Sequence, residues 1–348
     1  MRLRPVLATV TAGLAAATCL SVAGPAAAGT ATSAGTATGH ACSSAVGITG
    51  FSDALDKTTY TDGTYVGNFS ALAENRDGSL AALSDRSSLF RLDAKSLKPK
   101  GVVQLADESG AALDSEGLVA DRDGTYLVSS ETEPSIRRYS ADGKILDRLP
   151  VPDHLQVAPA GRGVTNGTFE GLTLLPGGRT LVASMEYALS GDDSGLVRFQ
   201  TWTRGKGGHW RLGAQYAYPV DSGLGVPEIT ATPDGRLLVL ERGFTSGVGN
   251  TVRLYVADTH RATDTSDVES LTAAGVRSVK KTLLADIASC PSLGATAKQP
   301  QPNPLLDNIE GMAVTEREKG RLKVTLVSDD NQGATQTTRF YFLRVRLP

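Results

Sequence analysis

Ser115-Glu116-Gly117-Leu118-Val119-Ala120-Asp121-Arg122-Asp123-Gly124-Thr125-Tyr126-Leu127-Val128-Ser129-Ser130-Glu131 holds in one stretch the pattern that decides the fold. Two short apolar runs flank Asp-Gly, a dipeptide that readily supplies the positive φ of a tight hairpin turn. One glutamate stands ahead of the first run and another follows the second. The same order returns three times: Glu170 leads through a turn at Pro176-Gly177-Gly178 to residues 180–184 and Glu186; Glu228 leads through Pro233-Asp234-Gly235 to residues 237–240 and Glu241-Arg242; Glu310 leads through residues 312–314 and 324–327 to Ser328-Asp329. A degenerate first copy has Ser70 in place of the glutamate, then Ala71-Leu72, Asp77-Gly78, residues 80–83 and Asp85.

Each hairpin is followed by residues suited to a third strand, at 88–92, 135–139, 195–199, 252–256 and 339–343, and four units carry a fourth at 102–105, 144–147, 210–213 and 281–284. Repeated four-stranded antiparallel units are the blades of a β-propeller. The expectation is therefore an all-β chain forming a single β-propeller of five blades by repeat count, or six if a degenerate unit lies between Glu241 and Glu310. The last unit runs out of chain after three strands, so residues 46–51 are expected to supply its fourth strand and close the ring.

The N-terminus carries Arg2 and Arg4, an apolar stretch over 6–22 and Ala26-Ala27-Ala28, the pattern of a signal peptide over residues 1–28. Cys19 lies within that apolar region, but Ala17-Thr18 fits a lipoprotein cleavage box poorly. Residues 29–41, rich in Ala, Thr, Gly and Ser, are expected to be disordered, His40 included, and 42–348 to form the propeller. No other segment is long and apolar enough to span a membrane. Export implies an extracellular protein, and the two cysteines outside the signal peptide, Cys42 and Cys290, are expected to join. The strand order complicates that pairing, since it sets Cys42 at the start of one outer strand and Cys290 beyond the end of its neighbour. Without Arg2 and Arg4 the chain has 33 basic and 37 acidic side chains, net −4. Nothing concentrates the basic ones into a nucleic-acid-binding stripe.

In a blade the innermost strand starts at one face of the ring and the second strand returns to it. Residues before the first and after the second therefore share a channel mouth. That relation groups Glu116 with Glu131, Glu170 with Glu186, Glu228 with Glu241, Glu310 with Asp329, and Ser70 with Asp85. Carboxylates within ~6 Å of one another raise each other's pKa and call for positive charge. Calcium suits them because it accepts many oxygen ligands in flexible geometry. The expected metal ligands are Glu116, Glu170, Glu228, Glu310, Asp85 and Asp329. A carboxylate beside a turn can instead simply accept backbone N–H groups, and an acidic row can be a solvated rim. Arg86 and Arg242 stand beside acids and either pair with them or, if free, bind a substrate's phosphate or carboxylate. The four histidines show no metal-ligand spacing, and no Gly-x-Ser-x-Gly elbow occurs.

The run Leu83-Ser84-Asp85-Arg86, the Glu-Gly repeats, Ser129-Ser130-Glu131-Thr132-Glu133-Pro134 and the closing Val327-Ser328-Asp329-Asp330-Asn331-Gln332 resemble the phytase-like family, described as "esterase-like activity of phytase". The resemblance covers roughly residues 66–345 and implies a secreted propeller with phosphoesterase or esterase activity. Phytases of propeller fold use several calcium ions to bind phosphate and activate water, which the resemblance extends to this chain as an expectation. Glu131 and Glu186 are then the expected catalytic proton acceptors, Arg86 and Arg242 the residues that bind a small anionic ester, and the protein a monomer. A non-catalytic propeller with a structural cation and a binding surface, or a lactonase-like hydrolase, are the alternatives.

Overall fold

The computed structural model describes residues 39–348 except 273 and 319. Its strands follow in the order β1 (Val46–Ser52), a two-stranded ribbon β2 (Thr58–Thr59) and β3 (Tyr65–Val66), then β4 (Phe69–Glu74), β5 (Leu80–Ser84), β6 (Ser88–Leu92) and β7 (Pro99–Gln104). Next come β8 (Ser115–Ala120), β9 (Tyr126–Ser130), β10 (Ser135–Tyr139) and β11 (Ile145–Arg148), then β12 (Phe169–Leu174), β13 (Thr180–Met185), β14 (Leu196–Arg204) and β15 (Trp210–Pro219). The last are β16 (Gly225–Ala231), β17 (Leu237–Thr245), β18 (Gly249–Asp258), β19 (Lys280–Asp286), β20 (Ile309–Glu318), β21 (Arg321–Ser328) and β22 (Phe340–Arg346).

These strands make five four-stranded antiparallel sheets: β4–β7, β8–β11, β12–β15, β16–β19, and β20–β22 completed by β1. They are blades 1 to 5 of a β-propeller. The interval between Glu241 and Glu310, where a sixth blade remained open, holds the outer strands of blade 4 and a connection. Ring closure follows the expected pairing of the early strand with the last one, in a register that sets Val46 opposite Val345 and Ser52 opposite Phe340. A propeller needs this closure because an unpaired β22 would leave a row of open backbone groups at its edge. The expected signal peptide and residues 29–38 lie outside the described residues. His40 and Ala41, expected in a disordered segment, instead pack on β1: the Ile48 amide donates to the His40 carbonyl at 2.9 Å and Ala41 bridges Gly47.

Cys42 and Cys290 form a disulfide. The conflict with strand order is resolved by a single 3-10 turn, Ile287–Ser289, that carries the chain from the end of β19 toward the start of β1. Ser43 Oγ adds a hydrogen bond to the Leu284 carbonyl at 2.6 Å beside the bridge. The disulfide therefore ties blade 4 to the strand that closes blade 5.

The core lies between neighbouring sheets, as expected for strands whose alternate residues face adjacent blades. Phe169, Trp202, Phe199 and Tyr218 fill blade 3 and its interface. Trp202 meets Phe169 edge to face and donates its indole N–H to the Pro150 carbonyl at 2.7 Å, so the buried ring leaves no polar atom unpaired.

Candidate functional site

Every innermost strand carries a register irregularity at or beside its acidic position. The break falls between Phe69 and Ala71 in blade 1, Ser115 and Leu118 in blade 2, Phe169 and Leu172 in blade 3, Gly225 and Glu228 in blade 4, and Ile309 and Gly311 in blade 5. A bulge re-aims a side chain that regular pleating would turn into the sheet interface. Here it turns Glu116, Glu170 and Glu310 toward the channel. The glycine after each has a separate cause: a β-carbon on Gly117 would stand 2.4 Å from the Glu170 carbonyl oxygen, and one on Gly171 would stand 2.4 Å from the Ile229 nitrogen. Neighbouring inner strands touch backbone to backbone at this level, which only glycine allows.

The second strand of each blade is locked to the same level. The amides of Asp85, Glu131, Glu186 and Asp329 donate to the carbonyls of Asn68, Asp114, Thr168 and Asn308, each two residues ahead of the inner position. Hydroxyls stitch blade to blade around the mouth, with Ser115 Oγ on the Ser84 carbonyl at 2.7 Å and Thr168 Oγ1 on the Glu131 carbonyl at 2.6 Å.

The carboxylates of Glu116, Glu131, Glu170, Glu186, Glu310, Asp85 and Asp329 accordingly face one mouth of the channel. Oxygens of Asp114, Glu116 and Glu131 lie within 4.8 Å of one another, as do those of Glu131, Glu170 and Glu186, so Glu131 belongs to both groups. Burial followed by like-charge neighbours pushes Glu116 and Glu170 well above the usual carboxylate range. The same causes raise Glu131 to about 7. Burial raises Glu310 to about 7 although Arg242 opposes it, and raises Glu186 against the same guanidinium. Asp329 is also pushed well up by burial and Glu310, and Asp85 is raised by burial against Arg86.

Blade 4 departs from the expected pattern. Glu116 stands eight residues ahead of the turn glycine Gly124 and Glu170 eight ahead of Gly178, but Glu228 stands only seven ahead of Gly235. In a strand a one-residue slip sends the side chain the other way. Glu228 is thus not a member of the ring: Pro227 holds the inner position, and the fully buried Glu228 carboxyl accepts from the backbone amides of Ile229 at 2.8 Å and Leu172 at 3.3 Å. Glu241 is likewise turned away, into the seam with blade 3, where it accepts from Tyr218 Oη at 2.7 Å and pairs with Lys281. The residue at the outer position is Arg242, paired in register with Gly225. Its guanidinium lies 3.1 Å from Glu186, 3.3 Å from Glu310 and 2.6 Å from the Asn308 side-chain oxygen.

Arg86 is mostly exposed and lies 3.5 Å from Asp85, so neither expected arginine is without a partner. Four further residues join the site. Asp114 and Asn308 come from the position two ahead of the inner acid, a spacing visible in the sequence but without a distinctive residue type. Tyr187, half-exposed beside Glu186, has its phenol raised to about 12 by burial and that carboxylate. Ser70, 2% exposed, holds blade 1's inner position with an Oγ that has no hydrogen-bond partner among the described residues. The opposite mouth is different: a cavity of about 680 Å³ opens there between the hairpin turns, walled by residues such as Leu72, Leu118, Leu174 and Val314, and contains none of the ring carboxylates.

Fold and site together define a five-bladed propeller with an acidic channel mouth. The chain belongs to the phytase-like family, described as "Esterase-like activity of phytase", whose pattern matches residues 64–332. A segment is 29% identical over 119 residues to an "Uncharacterized secreted protein" of Arthroderma benhamiae, covering 27% of this chain and only 23% of that protein. Among solved structures it is similar to a Myxococcus xanthus glutaminyl cyclase (13% identity, TM-score 0.42, 87% of this chain and 97% of that one). It is also similar to a Staphylococcus aureus virginiamycin B lyase (12%, TM-score 0.37, 80% and 66%). Overlaps this loose say nothing about the chemistry of the site.

Proposed function

We propose that the protein is an extracellular hydrolase of phosphate esters or related esters that works with calcium at the acidic mouth. The observation that carries this reading is the convergence of buried carboxylates from four blades around one guanidinium. Such a set is costly to ionise without a cation. The donor set suits calcium: all its ligand atoms are oxygens, two sets of three carboxylates each lie within 4.8 Å of one another, and Ser70 offers a buried hydroxyl, unpartnered among the described residues, at blade 1's inner position. Asp114, Glu116, Glu131, Glu170 and Glu186 would hold the ion, with Glu310, Asp329 and Asp85 completing its surroundings. Calcium bound there supplies positive charge that polarises an ester's phosphoryl or carbonyl oxygen and makes water more acidic.

The chain's own groups have separate tasks in this reading. Glu131, the carboxylate common to both close groups, takes a proton from the attacking water as general base. Glu186 is the second acceptor, with Tyr187 beside it. Arg242 orients the anionic group of the substrate, while exposed Arg86 serves at the rim. No side chain among the described residues stands out as a nucleophile, so in this reading water attacks directly. The pattern of a signal peptide and the Cys42–Cys290 disulfide support an extracellular site of action.

The near-complete burial of Glu116, Glu170 and Glu310 favours a second reading, in which the cation is structural and the protein is a binding propeller. Purified protein assayed against phosphomonoesters, carboxyl esters and lactones, with calcium and with a chelator, separates the two. Calcium-dependent turnover of a phosphate or carboxyl ester is the expected result. Tight calcium binding without turnover of any of the three supports the binding propeller instead.

A further inference from the structure

Blade 4 gives the ring a cation where the other four give an acid. Asp85, Glu131, Glu186 and Asp329 all occupy the position at which blade 4 carries Arg242. The fork of Arg242 reaches Glu186 on blade 3 and Glu310 on blade 5, so it spans the seam on both sides of its own blade. Burial works against its charge, and Glu310 and Glu186 hold that charge in place. Two features indicate that this arrangement is not the residue's only use. The Nε–H of Arg242 is buried and has no acceptor among the described residues, although an orphaned donor of a charged group is costly to keep. Its two carboxylate partners also belong to the set that a calcium ion would draw on.

Resting on the calcium reading above, we propose that Arg242 is an internal competitor for the cation, and that cation binding hands its guanidinium to the oxyanion of the ligand. With the mouth empty of metal, Arg242 neutralises Glu186 and Glu310 and is not available to an anion. Once a divalent cation takes up those carboxylates, the N–H groups of Nη2 are released, while Nη1 keeps its bond to Asn308. Together with the orphan Nε–H, those of Nη2 form a planar donor set that matches a phosphate or carboxylate edge. Binding is then ordered: the cation raises the affinity for the oxyanion, and by linkage the oxyanion raises the affinity for the cation by the same factor. The arginine at blade 4's outer position is what builds this coupling, because an acid there would add a ligand and leave only the rim Arg86 to meet the anion.

Calorimetric titration of the purified full chain, with calcium chloride and with inorganic phosphate as probes, tests the proposal without any assay of turnover. In the wild-type protein calcium is expected to raise phosphate affinity by about tenfold, a coupling of about 1.4 kcal/mol. Arg242→Gln should bind calcium more tightly than wild type and show no calcium effect on phosphate. Arg242→Lys keeps the charge, so its calcium affinity should stay near wild type, while its phosphate affinity falls for want of the fork. Circular dichroism and thermal melts identify any variant that has not folded, and the coupling in the wild-type protein is measured independently of both. Equal phosphate affinity with and without calcium in wild type, or unchanged or weaker calcium binding in folded Arg242→Gln, overturns the proposal and leaves the calcium site standing. No calcium binding by wild type overturns the calcium site and the proposal with it.

Discussion

The carbonyl oxygen of Glu170 lies 2.4 Å from where a β-carbon on Gly117 would be, so the inner strands of blades 2 and 3 meet backbone to backbone at the level of the acidic ring. That contact sets how closely carboxylates of adjacent blades approach one another. Gly171 makes the same approach to blade 4, at 2.4 Å from the Ile229 nitrogen. Gly117→Ala or Gly171→Ala must push two blades apart against backbone that cannot yield, and overpacking of this kind costs about 1–3 kcal/mol. Gly101→Ala, where a methyl group would meet nothing within 4 Å, is the matched control and should leave the thermal midpoint near wild type. Equal midpoints for all three variants would remove the close approach as the reason for glycine.

The buried carboxylates make stability depend on pH in the sense opposite to a salt-bridged acid. Glu131 and Glu310 are raised to about 7 and Asp307 to about 6, chiefly by burial, from ordinary values of 4.5 for the glutamates and 3.8 for the aspartate. A folded-state value above the unfolded one gives stability that is complete below the unfolded pKa and lost as pH rises through the folded one. In chelator, the thermal midpoint should therefore fall by several degrees between about pH 5 and pH 8, the window these shifts define. Calcium binds the ionised carboxylates and stabilises by mass action, so its effect should be small near pH 5 and large at pH 8. A chelated protein whose midpoint stays level or rises across that window would contradict the buried, proton-holding ring.

Most of the fold was legible because a hairpin repeat writes itself locally. Asp123-Gly124 and Asp234-Gly235 mark turns, alternation marks strands, and the missing fourth strand of the last unit pointed to residues 46–51. Those signals depend on neighbours in sequence and survive without an alignment. The site was legible only as far as phase was respected. Glu228 shares its residue type with Glu116 and Glu170 but sits one residue closer to its turn, and pleating converts that single step into an opposite direction. Counting from Gly235 reveals the slip; matching glutamates to one another hides it. Asn308 and Asp114 keep a constant place two ahead of the inner position, and Tyr187 directly follows Glu186, but no shared residue type singles any of the three out.

The Cys42–Cys290 bridge closes a loop of sequence separation 248 and joins blade 4 to the strand that completes blade 5. Without it, β1 keeps its pairing with β22 but loses its covalent tie to the neighbouring blade. Loss of a native disulfide from an exported domain typically costs about 2–5 kcal/mol. Cys42→Ser/Cys290→Ser should lower the midpoint of chemical unfolding accordingly, and reductant should lower the wild-type midpoint to the same value while leaving the double variant unaffected. Reductant that shifts both proteins equally would show that the bridge is not the source of the difference.

Glu228 provides the sharpest check on which glutamates form the site. Its carboxyl is fully buried, is pushed well above the usual range by burial, and accepts from the Ile229 and Leu172 amides with a further backbone interaction from Met312; no ring carboxylate is among the causes of its shift. Glutamine is close to it in shape and can accept the same two amide hydrogen bonds, so Glu228→Gln should change stability by less than about 1.5 kcal/mol, as volume-conserving changes do. It should also leave the rise in thermal midpoint with calcium close to that of wild type. Glu170→Gln removes a carboxylate oxygen from the group it shares with Glu131 and Glu186, all within 4.8 Å. That change should raise the calcium-free midpoint near neutral pH, because glutamine, unlike the raised Glu170 carboxyl, needs no proton to enter the buried cluster, and should shrink the calcium-dependent rise by at least half. The two substitutions thus differ in the size of the response to calcium, although both start from a buried glutamate at the start of an innermost strand. Calcium responses equally weakened in both variants would return Glu228 to the ring and remove the register slip from the account of the site.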